Sequence, residues 1–415
     1  MFTCCHKRFG ITIRTVCAIM ATALLFLAAV ERSPVSAKAA AWIPCMSGSI
    51  CIPAGDTSLP VALTGVSARG AVLMEAESGD VIFGQNQNAR LPMASTTKIM
   101  TALVALEQLP LDTVVSITAD SVGVEGSSIY LVEGEALTLE QLLYALLLES
   151  ANDAAVAIAI AVAGSVENFA ALMNEQADEL GLADTHFVNP HGLDHEEHYT
   201  TARELALIAR AALHHPTFRE ICSAGRKTIP LHGDEGVRVL INHNKLLASY
   251  EGCIGVKTGF TKKTGRCLVS AAERDGVTLI AVTLNAPDDW RDHTAMLDYG
   301  FGVYESLTLC EPAFFYAPLW TVGGTQDYVM VENTDTLTTV LRRDHGTIRC
   351  VVELPRFEFA PMKKGDVVGR LCFFEETRNG TLKELGCVPL YAAYSVEAVT
   401  YKRGLWDRIR SLLMR

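Results

Sequence analysis

The chain contains no Cys-x-x-Cys pair, no His-Glu-x-x-His and no apolar run of the roughly 20 residues that a spanning helix needs. These absences argue against a zinc ribbon, a helical zinc-peptidase site and a membrane-crossing segment. Positive charge is scarce as well. Lys and Arg number 35 against 47 Asp and Glu, a formal net charge of −12, which argues against a nucleic-acid partner. Twelve cysteines are present but scattered, which does not read as a disulfide framework in a chain this long. Beyond residue 41 only Cys45 and Cys51 are near enough in sequence to suggest a local bridge.

What is present is a globular composition, 49% hydrophobic and 20% charged over 415 residues, enough for two or three domains. Residues 1–41 read as an export signal. Lys7, Arg8 and Arg14 precede the apolar run Thr15–Val30, and the small residues of 35–39 suit a signal peptidase; an uncleaved anchor is the alternative. Removing this segment takes away five Lys/Arg and Glu31, which leaves a charge of −16. Residues 42–66, rich in Pro, Gly and Ser, read as an extended N-terminal arm. Residues 67–304 carry strands, then a block of helices, then strands, the order of an α+β domain rather than of alternating βαβ units. Short strand-like runs over 305–393 indicate a small all-β domain. Residues 394–415 read as an amphipathic helix that lies on a membrane surface. Leu405, Trp406, Ile409, Leu412 and Leu413 form its apolar side, and Lys402, Arg403, Arg408, Arg410 and Arg415 crowd the other.

The chemistry concentrates in three short motifs. Ser95 and Lys98 form a Ser-x-x-Lys pair, expected at the start of a buried helix running to about Leu109. Such a pair is common by itself. Here it is followed by Ser150-Ala151-Asn152 between two apolar helices and by Lys257-Thr258-Gly259 on a strand. A second triplet, Lys263-Thr264-Gly265, falls in the turn after that strand, where a lysine is ordinarily solvated. The three motifs in this order are the signature of β-lactamases and penicillin-binding proteins. Each part has a role. Ser95 attacks a carbonyl to give an acyl-enzyme, and Lys98, its pKa lowered by the second cation Lys257, takes the serine proton. Asn152 orients Lys98 and the substrate amide, while Ser150 passes a proton to the leaving amine. Thr258 binds a substrate carboxylate, with Gly259 beside it. The backbone N–H groups of Ser95 and Phe260 receive the oxyanion.

The chain is similar to serine D-alanyl-D-alanine carboxypeptidases, the low-molecular-mass penicillin-binding proteins. Phe187–Asp194, Thr200–Ala206 and Gly255–Thr261 also resemble that family's landmarks, and the match runs from about residue 66 to the end. The resemblance implies a β-lactamase/transpeptidase-like domain of antiparallel sheet and helices, a following β domain and the amphipathic tail. It implies removal of the terminal D-Ala from peptidoglycan stem pentapeptides, inhibition by β-lactams and action outside the cytoplasmic membrane. No cofactor is implied. It also places Arg291 near the substrate's terminal carboxylate. Two departures stand out: Ala151 where Gly is frequent, and Arg266 where an aromatic is common. A β-lactamase and a catalytically silent penicillin-binding or sensor protein are the alternatives. His191, His195 and His198 beside Glu196 and Glu197 have the wrong spacing for a metal site and read as loop histidines.

Overall fold

The computed structural model describes residues 43–44, 50–55, 58–234, 236–377 and 379–400. Its centre is a five-stranded antiparallel sheet. The strands are β1 (Gly70–Glu75), β2 (Val81–Gln85), β3 (Cys253–Thr261), β4 (Gly265–Arg274) and β5 (Val277–Leu284), in the spatial order β2-β1-β5-β4-β3. Both faces are covered, so its central strands are apolar on both sides. Val72, Met74, Val269, Ala271, Ile280 and Val282 face the helical block. Their neighbours Ala71, Leu73, Leu268, Ala272, Leu279 and Ala281 pack with Met296 and Leu297 of the closing helix. The period of two in side-chain direction distributes one apolar run between two cores.

The helical block comprises α1 (Lys98–Gln108), α2 (Leu139–Leu148), α3 (Asn152–Ala163), α4 (Val166–Glu179), α5 (Ala202–Leu213) and α6 (Pro216–Ser223); α7 (Asp289–Val303) closes the opposite face. The starts are written in the sequence. Thr138 and Gln141 form a reciprocal capping box at α2, and the Thr201 side chain accepts from Glu204 N at α5. The first eight residues of α3 are all buried, which makes it the central helix of the block. One boundary differs from expectation. Ser95 does not open an α-helix; it lies in a 3-10 turn, Ala94–Thr97, and α1 begins at Lys98.

The C-terminal part is strand-rich, built on an eight-stranded sheet with its own core of Leu319, Val329, Val331, Ile348, Phe373 and Leu390. Three expectations change here. The N-terminal arm is not merely extended: Ile50–Ile52 pairs with Thr347–Glu353, so part of 42–66 belongs to the C-terminal sheet. The beginning of the expected tail helix is not helical either. Val396 bridges Met362 and Ala398 bridges Gly324, because their backbone groups complete sheet edges there. Residues 401–415 and the export signal lie outside the described residues. Third, Cys372 and Cys387 sit directly opposite each other on Val367–Glu376 and Leu382–Ala392 and are bonded. The spacing could not reveal this pair because strand register, not sequence distance, brings the two together. Cys45, half of the bridge suggested by spacing, lies outside the described residues.

A disulfide closing a loop of this size stabilises by about 3 kcal/mol. Equilibrium denaturation of the C372S/C387S double variant therefore shows a lower midpoint for the strand-rich part. A midpoint equal to that of the oxidised parent contradicts this.

Candidate active site

The site starts from a strained turn. Ala94 adopts φ 47°, unusual for a residue with a Cβ, immediately before Ser95. Thr96 Oγ1 donates to Met93 O at 2.6 Å and Thr97 Oγ1 to Ala94 O at 2.8 Å, which tightens the turn. Ser95 Oγ is left facing Lys98, with Nζ at 2.9 Å.

Lys98 has no exposed surface. Its amine donates to Asn152 Oδ1 at 2.7 Å and to the His191 carbonyl at 2.7 Å. The orientation of Asn152 is imposed from behind, because its Nδ2 donates to Glu125 O at 2.6 Å and its backbone N–H donates to Ser127 O at 2.7 Å. The amide oxygen must therefore point at Lys98. Burial holds Lys98 well below the usual lysine range, and the Lys257 charge lowers it further. This reorders the sequence-based account, in which Lys257 was the main cause: removal from water is the larger effect.

The His191 carbonyl was not anticipated. It belongs to the loop 187–198, which is pinned against the turn in several ways. Thr101 Oγ1 of α1 donates to Pro190 O at 2.6 Å, and the Asn189 side chain clasps Gly192 N and Leu193 O. Gly192 has φ 88°, and a Cβ there would fall 1.9 Å from Ala94 O, so only glycine lets the loop approach. His198 is the rivet. Its Nδ1 accepts from Val188 N at 3.0 Å, so in the neutral ring the proton is on Nε2, 2.8 Å from Thr97 Oγ1. Burial pushes its pKa down to about 3. His191, lowered to about 4 by burial and by Lys98, and His195 likewise accept backbone N–H groups at Nδ1. The loop histidines thus serve the loop's own turns. The sequence signal for the loop was Asn-Pro-His-Gly, a turn pattern; nothing in it indicated which carbonyl would face Lys98.

Strand β3 forms the other wall. A Cβ at Gly259 would meet Ser95 N at 3.0 Å, Thr96 N at 3.1 Å and Met93 O at 3.2 Å, so the strand passes directly over the nucleophile's turn. Lys257 is 1% exposed, whereas Lys263 of the second triplet is exposed in the β3–β4 turn. Burial lowers Lys257 to about 7, opposed by the negative charge of Glu149. Among the described residues its Nζ, with up to three donors, has one hydrogen bond, to Thr258 O at 3.0 Å. Thr264 of the second triplet is structural: with Thr261 it donates to Asp194, tying the hairpin turn to the 187–198 loop. Arg266 pairs across from Phe260, bonds Asp289 and lies over the Trp290 ring.

The structure joins Ser95, Lys98 and Asn152 by hydrogen bonds and brings Lys257 and Gly259 against them. Ser150, φ 61°, turns the chain between α2 and α3, but its side chain makes no hydrogen bond to either lysine. Thr258 and Phe260 follow from their places on β3, the Phe260 ring being exposed. Arg291 stands on the first turn of α7 with its side chain 86% exposed, and its ion-pair partner is Asp288 at 4.0 Å.

The chain resembles known proteins over most of its length. Residues 57–288 match the family model for D-alanyl-D-alanine carboxypeptidase. The chain is 32% identical to the D-alanyl-D-alanine carboxypeptidase DacF of Bacillus subtilis, over 73% of this chain and 80% of that protein. It is 31% identical to DacC of Escherichia coli, over 82% and 87% respectively. Its structure is similar to that of penicillin binding protein 5 from Haemophilus influenzae, with a TM-score of 0.59, 26% identity and coverage of 81% of this chain and 100% of the other. The chain belongs to the D-alanyl-D-alanine carboxypeptidase family.

Proposed function

We propose that this carboxypeptidase removes the terminal D-Ala of peptidoglycan stem pentapeptides through an acyl-ester on Ser95, and that β-lactams trap the same serine. One observation carries the reading: a buried amine, Lys98, lies 2.9 Å from Ser95 Oγ with its other two neighbours both acceptors. A neutral amine has two N–H donors and one lone pair. Asn152 Oδ1 and the His191 carbonyl take the two hydrogens, so the lone pair is left for the Ser95 proton. Attack on the carbonyl puts charge on its oxygen, which the backbone N–H groups of Ser95 and Phe260 receive. Lys257, buried with two donors unused, and Thr258 suit the substrate's terminal carboxylate. Ser150 then relays the proton from Lys98 to the leaving amine, and water releases the acyl group. Arg291, exposed at the start of α7, would meet the same carboxylate.

Residues 67–304 constitute the peptidase unit and 305–393 a β-rich unit in this reading. An export signal at 1–41 places the enzyme at the outer face of the cytoplasmic membrane. The basic, apolar segment ending the chain associates with the lipid surface.

Labelling with a fluorescent penicillin gives a stable adduct that Ser95→Ala abolishes; labelling that survives the substitution defeats the proposal. Lys257→Ala lowers the acylation rate by about a hundredfold or more, the scale of losing a buried charge contact to substrate, while Lys263→Ala stays close to the parent. Equal effects would overturn the choice of triplet. The pH dependence has a definite sign. Lys98 works only when neutral and its pKa lies well below 10.5, so acylation rises with pH on a limb well below 10.5. A rise centred on 10.5 contradicts the assignment of Lys98 as base.

A further inference from the structure

The strand-rich part carries an unusual outward face at one end of its sheet. Strands Tyr316–Val322, Tyr328–Glu332 and Phe357–Phe359 lie side by side, the last of them the edge strand. Alternation sends Leu319, Val329 and Val331 into the core. It sends Tyr316, Trp320, Val322, Tyr328, Phe357 and Phe359 outward, each at least 44% exposed. The register makes them one surface. Trp320 is opposite both Tyr328 and Phe357, and Val322 is opposite Phe359. Trp320 and Tyr328 meet edge to face at 6.3 Å, and Phe357 and Phe359 at 5.5 Å. The charged residue of this face on these three strands is Glu332, at the far end beside Tyr316. An apolar face reaching an edge strand is a liability in a protein that meets only water, and such patches mark interaction sites.

The partner is indicated by where the described chain ends. Val399 N donates to Gly323 O at 2.8 Å, and Ala398 bridges Gly324. The last described residue, Thr400, therefore leaves the sheet next to Val322. Fifteen residues follow, 401–415, with a Trp, three Leu and an Ile among five Lys/Arg. Exposed Arg356, Lys363 and Lys364 flank the aromatic edge and the exit, with exposed Asp327 and Glu397 on the same rim. Trp and Tyr on an apolar ground, with cations among the flanking charges, are the composition of a membrane interface.

We propose that this aromatic face is a second membrane-contact surface, seated in the headgroup region of a phospholipid bilayer beside the point where the C-terminal segment leaves. The inference rests on the reading of 401–415 as membrane-associating and extends it: the lipid contact has two parts, one of them folded. A short amphipathic segment alone leaves the enzyme free to pivot. Two adjoining contacts, one of them on a rigid sheet, fix how the strand-rich part stands on the bilayer.

The test uses the chain purified after export, with vesicles of phosphatidylglycerol and phosphatidylcholine. In a W42F/W290F/W406F background Trp320 is the remaining tryptophan. Bromine-labelled lipids quench it on binding, a readout that leaves the aromatic face native. In the parent chain, W320S/F357S/F359S weakens vesicle binding by about tenfold or more, with penicillin labelling and melting temperature unchanged. L405S/W406S/I409S weakens it independently. If only the aromatic triple loses binding, the inference holds and the C-terminal reading fails. If only the C-terminal triple loses binding, or Trp320 is unquenched by the brominated lipid, the inference is overturned. It is also overturned if Trp320 is shielded from aqueous acrylamide without lipid, since the chain itself then covers the face. Loss of binding to isolated cell-wall glycan in place of vesicles overturns it too.

Discussion

A lysine amine sealed from water next to a second buried lysine is the constraint on which this site depends. Such a group is unfavourable as an ammonium ion unless it is paired with an anion. Among the described residues no carboxylate bonds Lys98; its partners are a serine hydroxyl, an amide oxygen and a peptide carbonyl. The way out is for the amine to give up its proton, and that converts a common side chain into a base beside a hydroxyl. The fold supplies the seal. The 187–198 loop covers one side, the residues ahead of α3 another, and β3 a third.

The seal is made by close approaches of backbone to backbone. Gly192 touches the carbonyl of Ala94, and Gly259 lies over the amides of Ser95 and Thr96. Ala94 and Ser150, the residues before the nucleophile and at the head of the second motif, both adopt left-handed backbone conformations despite their side chains. Strain of this kind costs on the order of 1–3 kcal/mol per residue and persists only where surrounding packing over-determines it. Here the surroundings are the most apolar helices of the chain. The two motifs are thus held by neighbours that do not themselves take part in the chemistry.

Much of this was legible in the sequence, for physical reasons. Continuous apolar strands and an all-round apolar helix announce elements buried on every side, and the Thr138–Gln141 cap is local, so it can be read without a structure. The three motifs carry their own spacing. What could not be read depends on contacts remote in sequence. The His191 carbonyl reaches Lys98 because of a loop conformation, and Cys372 meets Cys387 because of register. The Ile50–Ile52 strand joins a sheet some 300 residues later because the C-terminal sheet has an edge to offer. The relative weight of burial and of Lys257 on Lys98 is of the same kind: a sequence shows two cations but not how much water reaches them. The aromatic face was missed for a related reason. Which side of the sheet Trp320 and Phe359 take follows from strand pairing, which the sequence does not show.

The account turns on the charge of one amine, and that can be observed directly. NMR of selectively labelled lysine follows the side-chain resonances of Lys98 with pH, in the parent and in Lys257→Met. The account predicts a Lys98 pKa well below 10.5 in the parent, raised in the variant by loss of the neighbouring charge yet still short of 10.5, because burial remains. A Lys98 that titrates near 10.5 in the parent would contradict it.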